Sequence, residues 1–168
     1  MAQRAIQEFL LPYGHICFGC GSRNPHGMRI RSTWNAAGDA VVCDWTPQAH
    51  HCGGPDFVNG GVIATLIDCH TVCTGTAWLY KLEDRPLDSE PVIHCVTASL
   101  HVDYLRPTPL ANPLHLRAWM AANDGRRITV ECALTSGGKE TAHGTGVFVR
   151  VATSTAAERQ KLRSDSPA

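Results

Sequence analysis

The stretch Asn59-Gly60-Gly61-Val62-Ile63-Ala64-Thr65-Leu66-Ile67-Asp68 combines two features that acyl chemistry needs. Two glycines open an apolar helical pattern, and a carboxylate follows two turns later. Glycines at a helix start leave backbone N–H groups bare, at the positive end of the helix dipole, with no side chain in the way. Such donors can hold a carbonyl oxygen as it gains negative charge. An acid inside an apolar helix is costly unless it is paired or used. On a helix the face of Asp68 carries Gly61, Ala64, Thr65, Thr71, Val72 and Gly75, mostly small residues at spacings of three, four and seven. The opposite face carries Val62, Ile63, Leu66, Ile67, Cys69, His70 and Cys73 and is expected to pack on a core. Asp68 reads equally well as a reacting group on an open face or as a satisfied acid bonded to a nearby threonine.

The elements that must position these residues follow from the patterning. Met28 to Trp34 and Ala40 to Trp45 read as strands around the turn Asn35-Ala36-Ala37-Gly38-Asp39, and a Gly/Pro/His loop runs from Thr46 to Val58. The helix extends from about Gly60 to Tyr80. A charged linker, Lys81 to Pro91, holds two prolines that stop helix and strand alike. Val92 to Leu105 alternates, with Val96, Ala98, Leu100, Val102 and Tyr104 on one side. Leu114 to Ala122 and Ile128 to Thr135 form a hairpin around Asn123-Asp124-Gly125, and Gly137-Gly138 turns into Thr141 to Val151. With one long helix and one antiparallel run, the sheet must bury a face on that helix. The expected architecture is α+β, a sheet wrapped around a central helix, with an edge strand left to pair with a second copy. The domain is placed at 28–151, after an N-terminal extension at 1–27. A polar tail at 152–168 is expected to be a short helix or frayed.

At 168 residues the chain suits one domain. Lys and Arg together number 15, as do Asp and Glu, which argues against a bulk nucleic-acid or membrane-surface binder. No apolar run reaches the ~18 residues of a membrane span. The opening MAQRAIQEFLLPYGH is too polar for a signal peptide, so a cytoplasmic location is expected. The 8 cysteines are then expected as free thiols, mostly small buried groups.

Three stretches, in the right order over roughly residues 15 to 151, resemble the hotdog-fold acyl-CoA thioesterases. The similar branch holds the phenylacetate-pathway enzymes and the mammalian thioesterase superfamily members. Its usual helix signature is His-Gly-Gly, six residues, then Asp; here Asn59-Gly60-Gly61 and Asp68 keep that spacing. The strand Thr97-Ala98-Ser99-Leu100-His101-Val102-Asp103-Tyr104-Leu105-Arg106-Pro107-Thr108-Pro109 matches a second motif, and Cys17-Phe18-Gly19-Cys20-Gly21-Ser22-Arg23-Asn24-Pro25-His26-Gly27-Met28 a third. The resemblance implies that Asp68 is the nucleophile or the base that activates water. It implies that the Gly60 N–H polarises the thioester carbonyl, with Gly61 beside it, and that Thr97 helps position the attacking water. Asn59 stands where the family has His. It can donate a hydrogen bond to a carbonyl but cannot titrate near neutral pH; His50 or His51 could compensate.

Arg106, Arg126 and Arg127 are candidates for the phosphates of coenzyme A, since a guanidinium suits phosphate; ordinary solvated turn charge is the competing reading. Phe57, Trp78 and Tyr104 could line an acyl pocket or belong to the core. Cys17-x-x-Cys20 supplies two of the four ligands a structural zinc needs. His15, His50, His51 and Cys52 could complete it, but no second ligand pair is evident in the sequence, so no metal is expected. A Cys–His hydrolase built on Cys52 and His51, or on Cys69 beside Asp68, is disfavoured because adjacent residues seldom face each other. A hydratase is disfavoured because position 73 is Cys, not His.

The expectation is therefore hydrolysis of an acyl-CoA to a free acid and coenzyme A, with no metal or redox cofactor. A non-catalytic acyl-CoA-binding protein is the alternative. Gly60 and Asp68 lie ~12 Å apart along one helix, yet both must reach one thioester. A homodimer with shared sites, possibly a dimer of dimers, resolves this.

Overall fold

The computed structural model describes residues 4–9 and 16–151. The tail at 152–168 and His15 lie outside them. Six strands and one long helix make up the fold: β1 (Thr33–Trp34), β2 (Val41–Trp45), α1 (Gly60–Leu82), β3 (His94–Tyr104), β4 (Leu114–Asn123), β5 (Arg127–Ser136) and β6 (Lys139–Val151). The strands form one antiparallel sheet in the order β1-β2-β4-β5-β6-β3, curled around α1 as the hotdog resemblance implies.

Each central strand buries every second residue against the helix, as period-2 patterning requires. Leu114, Leu116 and Ala118 of β4, Ile128, Val130, Cys132 and Leu134 of β5, and Ala142 and Phe148 of β6 are all buried. They meet Ile63, Leu66, Ile67, Cys73 and Ala77 of α1 in one core cluster. Glycine permits the closest approach. A Cβ on Gly144 would stand 2.3 Å from Ile67 Cγ2, and one on Gly75 would stand 3.1 Å from Ile128 Cγ2. The apolar length of α1 would suffice to cross a membrane, but 67% of its most apolar window is buried inside the fold.

The small face of α1 is not open along its whole length, contrary to the helical-wheel expectation. Thr71 and Gly75 are buried under the sheet, whereas Gly61, Ala64, Thr65, Asp68 and Val72 are exposed or half-buried. The sheet curls round the second half of the helix and takes that part of the face.

Two strand expectations are also corrected. Met28 to Ser32 do not join the sheet. Met28 N–H donates to Phe18 O at 2.8 Å and Ile30 N–H to Gly19 O at 3.0 Å, so this segment braces the Cys17–Cys20 loop instead. Arg29 between them has φ 54°, which breaks an extended run. In β3 the alternation is interrupted. Thr97 pairs with Phe148 and Ser99 with Val147, so Ala98 is an extra, bulged residue. The bulge reverses the side-chain parity. Cys95 and Thr97 face the helix before it, and Leu100, Val102 and Tyr104 after it, opposite the inward Phe148, Gly146, Gly144 and Ala142. Val96 therefore does not share a face with Leu100.

One polar chain crosses the core. Gln7 Nε2 donates to Ser32 Oγ at 2.8 Å, Ser32 Oγ meets His70 Nδ1 at 2.8 Å, and His70 Nε2 meets the Val41 carbonyl at 3.2 Å. His70 is fully buried, and burial pushes its pKa down to about 4. A neutral ring satisfies both bonds, donating to Val41 and accepting from Ser32.

Candidate active site

The start of α1 is built by Asn59. Its backbone N–H donates to His51 O at 2.9 Å, tying the helix to the preceding loop. Its side-chain Oδ1 accepts the Gly61 N–H at 2.8 Å, the N-cap bond. The Gly61 donor is thus consumed within the protein, and Gly61 cannot offer an N–H to a substrate as expected. The requirement for glycine there is steric, since a Cβ would stand 3.1 Å from Asn59 Oδ1. Gly60 is the first helical residue, so its N–H has no acceptor in its own helix. With Oδ1 held by the cap, the exposed Asn59 keeps its amide NH₂ as a donor outside the cap bond.

Tyr104, at the far end of β3, clamps this corner. Its hydroxyl donates to the Gly60 carbonyl at 2.8 Å, although 55% of the residue is exposed. Sequence reasoning held Tyr104 as a pocket or core residue and missed this bond. No local signal could reveal a contact between positions 44 apart in the chain.

Two turns along, Asp68 is half-buried and its Oδ1 accepts a hydrogen bond from Thr97 Oγ1 at 2.8 Å. The β3 bulge makes this contact possible, because it lets Thr97 and the later inward residues share a face. A charge-assisted bond of this kind orients the carboxylate, and its second oxygen is left to act on a proton or a carbonyl carbon. Gly61, Ala64, Asp68 and Val72 form a narrow stripe on the helix. Thr71 and β6 bound it on one side, since a Cβ on Gly146 would meet Thr71 Oγ1 at 3.2 Å. Thr65 and the Cys17–Cys20 loop bound it on the other, where a Cβ on Gly19 would stand 3.1 Å from Thr65 Cγ2. Tyr104 at the end of β3, Leu105 just after it and Phe18 of the loop are exposed apolar side chains.

The other candidates spread out. Arg106 follows Tyr104 and its backbone N–H bonds Thr141 O at 3.2 Å, near the helix start. Arg126 and Arg127 sit on the β4–β5 turn, where Asp124 Oδ1 accepts both backbone N–H groups at 2.9 and 2.6 Å. Those two amides hold the Asp124 carboxyl below its ordinary pKa. Arg127 lies opposite Val149 of β6, at the end of the sheet away from Arg106, which is bonded to Thr141. All three arginines are exposed, and the single chain does not gather them at one point. Phe57 is 41% exposed and bridges Pro109, with its ring over Gly53 and Gly54. His51, one of the two residues offered as compensation for the missing family histidine, is held by its own loop. Its Nδ1 accepts the Gln48 N–H at 2.8 Å, and its ring packs 4.7 Å from Trp45 and 4.0 Å from His50. Partial burial lowers its pKa. Cys52 is exposed and Cys69 faces Cys17 at 3.7 Å, so neither pairs with a histidine base.

Comparisons with known proteins bear on this arrangement. The family model described as thioesterase superfamily matches residues 56–143, which include α1 and Thr97. The acyl-coenzyme A thioesterase THEM4 of Rattus norvegicus is 30% identical over 127 residues, covering 74% of this chain and 49% of that protein. The Mus musculus protein of the same name is 33% identical over the same shares. The chain thus spans about half the length of the curated relatives it matches. Among solved structures, a thioesterase superfamily protein from Shewanella loihica PV-4 superposes with a TM-score of 0.57 at 33% identity, covering 78% of this chain and 98% of that one. Another thioesterase superfamily protein reaches a TM-score of 0.65 at 25% identity, covering 89% and 71%.

Proposed function

Because the chain belongs to the thioesterase superfamily, we propose that it hydrolyses an acyl-CoA to a free acid and coenzyme A. The observation that carries this reading is the Asp68–Thr97 contact at 2.8 Å on an open stripe of the helix whose first N–H is bare. Water held by Thr97 and Asp68 gives its proton to the carboxylate as its oxygen attacks the thioester carbon. Alternatively the carboxylate attacks and expels the thiolate to give a mixed anhydride, which water then cleaves to the free acid and the regenerated carboxylate. In either route the carbonyl oxygen turns negative, and the Gly60 N–H together with the Asn59 amide stabilises it. In the first route, thiolate departure completes the step.

Asp68 and Gly60 of one helix are ~12 Å apart, while both must come within ~3 Å of one carbonyl group. The complete site therefore pairs Asp68 and Thr97 of one chain with Asn59 and Gly60 of another. Two helices side by side and antiparallel in a twofold dimer meet that need. The stripe of small residues beside Asp68 permits their approach, and the exposed apolar residues of the β3 edge favour burial against a second copy. The same pairing brings Arg126 and Arg127 of one chain toward the helix start of the other, where Arg106 also lies, so that the arginines can share the phosphates of coenzyme A.

The test is release of free thiol from a panel of short, medium, branched and aromatic acyl-CoAs. Turnover by the wild type, lost in a folded Asp68→Asn protein, supports the reading. Tight binding of acyl-CoA with no turnover across the panel would instead make this a binding protein.

A further inference from the structure

Four of the chain's cysteines, from two segments about fifty residues apart, converge beside the active-site helix. Cys17, Cys20 and Cys69 place their sulfurs within 4.8 Å of one another. Cys17 Sγ and Cys69 Sγ are 3.7 Å apart, and Cys73 stands one helical turn beyond Cys69. Cys69 and Cys73 are at i and i+4, so they present sulfurs from one face of α1. Cys20, Cys69 and Cys73 are buried, Cys17 is half-buried, and all four are free thiols.

The loop is shaped for this approach. Gly21 N–H donates to Cys17 O at 2.9 Å, closing the turn that brings Cys17 and Cys20 to one side. Gly19 between them touches the helix, where a Cβ would stand 2.3 Å from Cys69 Sγ. Any larger residue would push the loop off Cys69. The backbone bonds from Met28 and Ile30 to Phe18 and Gly19 hold the loop from behind.

We propose that Cys17, Cys20, Cys69 and Cys73 bind one structural zinc ion that fastens the loop at 16–30 to the middle of α1. The expectation of no metal rested on a missing second ligand pair; the fold brings Cys69 from the helix to Cys17 and Cys20, and Cys73, one turn further along α1, is the fourth ligand of the proposal. A tetrahedral Zn–S₄ site has Zn–S bonds of about 2.3 Å, which set sulfurs about 3.8 Å apart. The sulfurs of Cys17, Cys20 and Cys69 approach that spacing without a disulfide. Small inward rotations about χ1 close the remainder. Each thiol releases its proton on coordination, so uptake is stronger at higher pH. An all-sulfur set suits zinc over hard cations such as magnesium or calcium. The ion takes no part in hydrolysis. It braces the loop flank of the stripe that carries Asp68, the residue next to Cys69. The proposal stands independently of the thioesterase reading.

The experiment is elemental analysis of full-length protein expressed with added zinc and purified under reducing conditions without chelator. About one zinc per chain is expected. Cobalt added anaerobically to the metal-free protein should give the visible absorption of tetrahedral cobalt thiolate. Cys20→Ser, Cys69→Ser and Cys73→Ser should each lose the ion, while the exposed Cys52→Ser should keep it. If the serine variants fail to fold, titrating wild-type thiols with a mercurial should release the zinc as four cysteines react. Removing zinc should lower Tm by an amount on the order of 10 °C and speed proteolysis within 16–30. Less than a tenth of an equivalent of zinc, with no cobalt band, overturns the proposal. So does iron with acid-labile sulfide in its place, a mapped disulfide among these cysteines in the reduced preparation, or zinc that survives Cys73→Ser with an unchanged cobalt spectrum.

Discussion

Polar residues along α1 are satisfied in two different ways. In the second half, Thr74 donates to His70 O at 2.7 Å and Thr76 to Val72 O at 2.9 Å. Both are buried, and their hydroxyls are satisfied within the helix. In the first half, Asp68 stays half-buried and takes its partner from another element, Thr97 of β3. Asn59 caps the helix with its oxygen and leaves its NH₂ outside the cap bond. A polar side chain satisfied by its own helix can do little except hold that helix. One oriented from outside, with capacity to spare, can act on a third molecule. The same helix thus carries structural and reactive polar groups within 23 residues.

Mixing subunits tests the reactive groups most severely. An Asp68→Asn chain and a Gly60→Trp chain should each be inactive alone, with a loss of at least ~100-fold in kcat for the former. Re-paired at random, half the dimers are mixed and each carries one intact site of two, so activity should return to roughly a quarter of wild type. No recovery, with mixed dimers verified by mass, would place acid and oxyanion donor in one chain.

The buried side of α1 has its own signature in pH. His70 is neutral in the fold with a pKa of about 4, below the ~6.5 of an unfolded histidine. As pH falls below ~6.5, the unfolded chain takes up a proton that the folded chain refuses. Stability from this group is full above ~6.5 and lost by pH ~4, a total of about 3 kcal/mol. Denaturant unfolding at several pH values should show this slope, and a folded His70→Leu protein should lack it. An unchanged slope in that variant would remove His70 as the cause.

Thr97→Val breaks the bond that Asp68 draws from β3. A lost hydrogen bond to a carboxylate near solvent should lower kcat roughly tenfold, ~1–2 kcal/mol, with Tm nearly unchanged. The matched change among the structural groups, Thr74→Val, should leave kcat at the wild-type value. Equal losses in both variants would erase the distinction between the two kinds of group.

Asn59→Asp refines the same contrast by the smallest step. A carboxylate keeps the cap to Gly61, so stability should hold within ~0.5 kcal/mol, but it has no N–H to donate. A several-fold fall in kcat without a fall in Tm assigns the side-chain amide a part in carbonyl binding. Asn59→Ala should lower both, with ~1 kcal/mol of stability lost through the cap.

The order and type of the elements were legible in the chain. The Gly60-Gly61 start, the apolar run expected to about Tyr80, the strands from Ala40 onward and the Asn123-Asp124-Gly125 turn are patterns written by near neighbours, and each formed within a few residues of its expected bounds. The spacing that places Asp68 two turns from Gly60 is likewise local. Two other features were not. Period-2 alternation assumes an unbroken strand, so it could not show that Ala98 bulges and turns Thr97 toward Asp68. Glycine at position 61 announced a bare donor, but the Asn59 side chain reaches over and takes it.

What the sequence alone determined is the family resemblance and the set of reactive groups, because those depend on residue type and short spacing. The tertiary structure decided which of those groups meet. Asp68 and Thr97 are 29 positions apart, Gly60 and Tyr104 are 44, and Cys17 and Cys69 are 52. Such pairs carry no shared periodicity. They are joined only when the sheet closes around α1 and the loop at 16–30 lies down on it, since burial of the common core, not any local preference, brings those segments together.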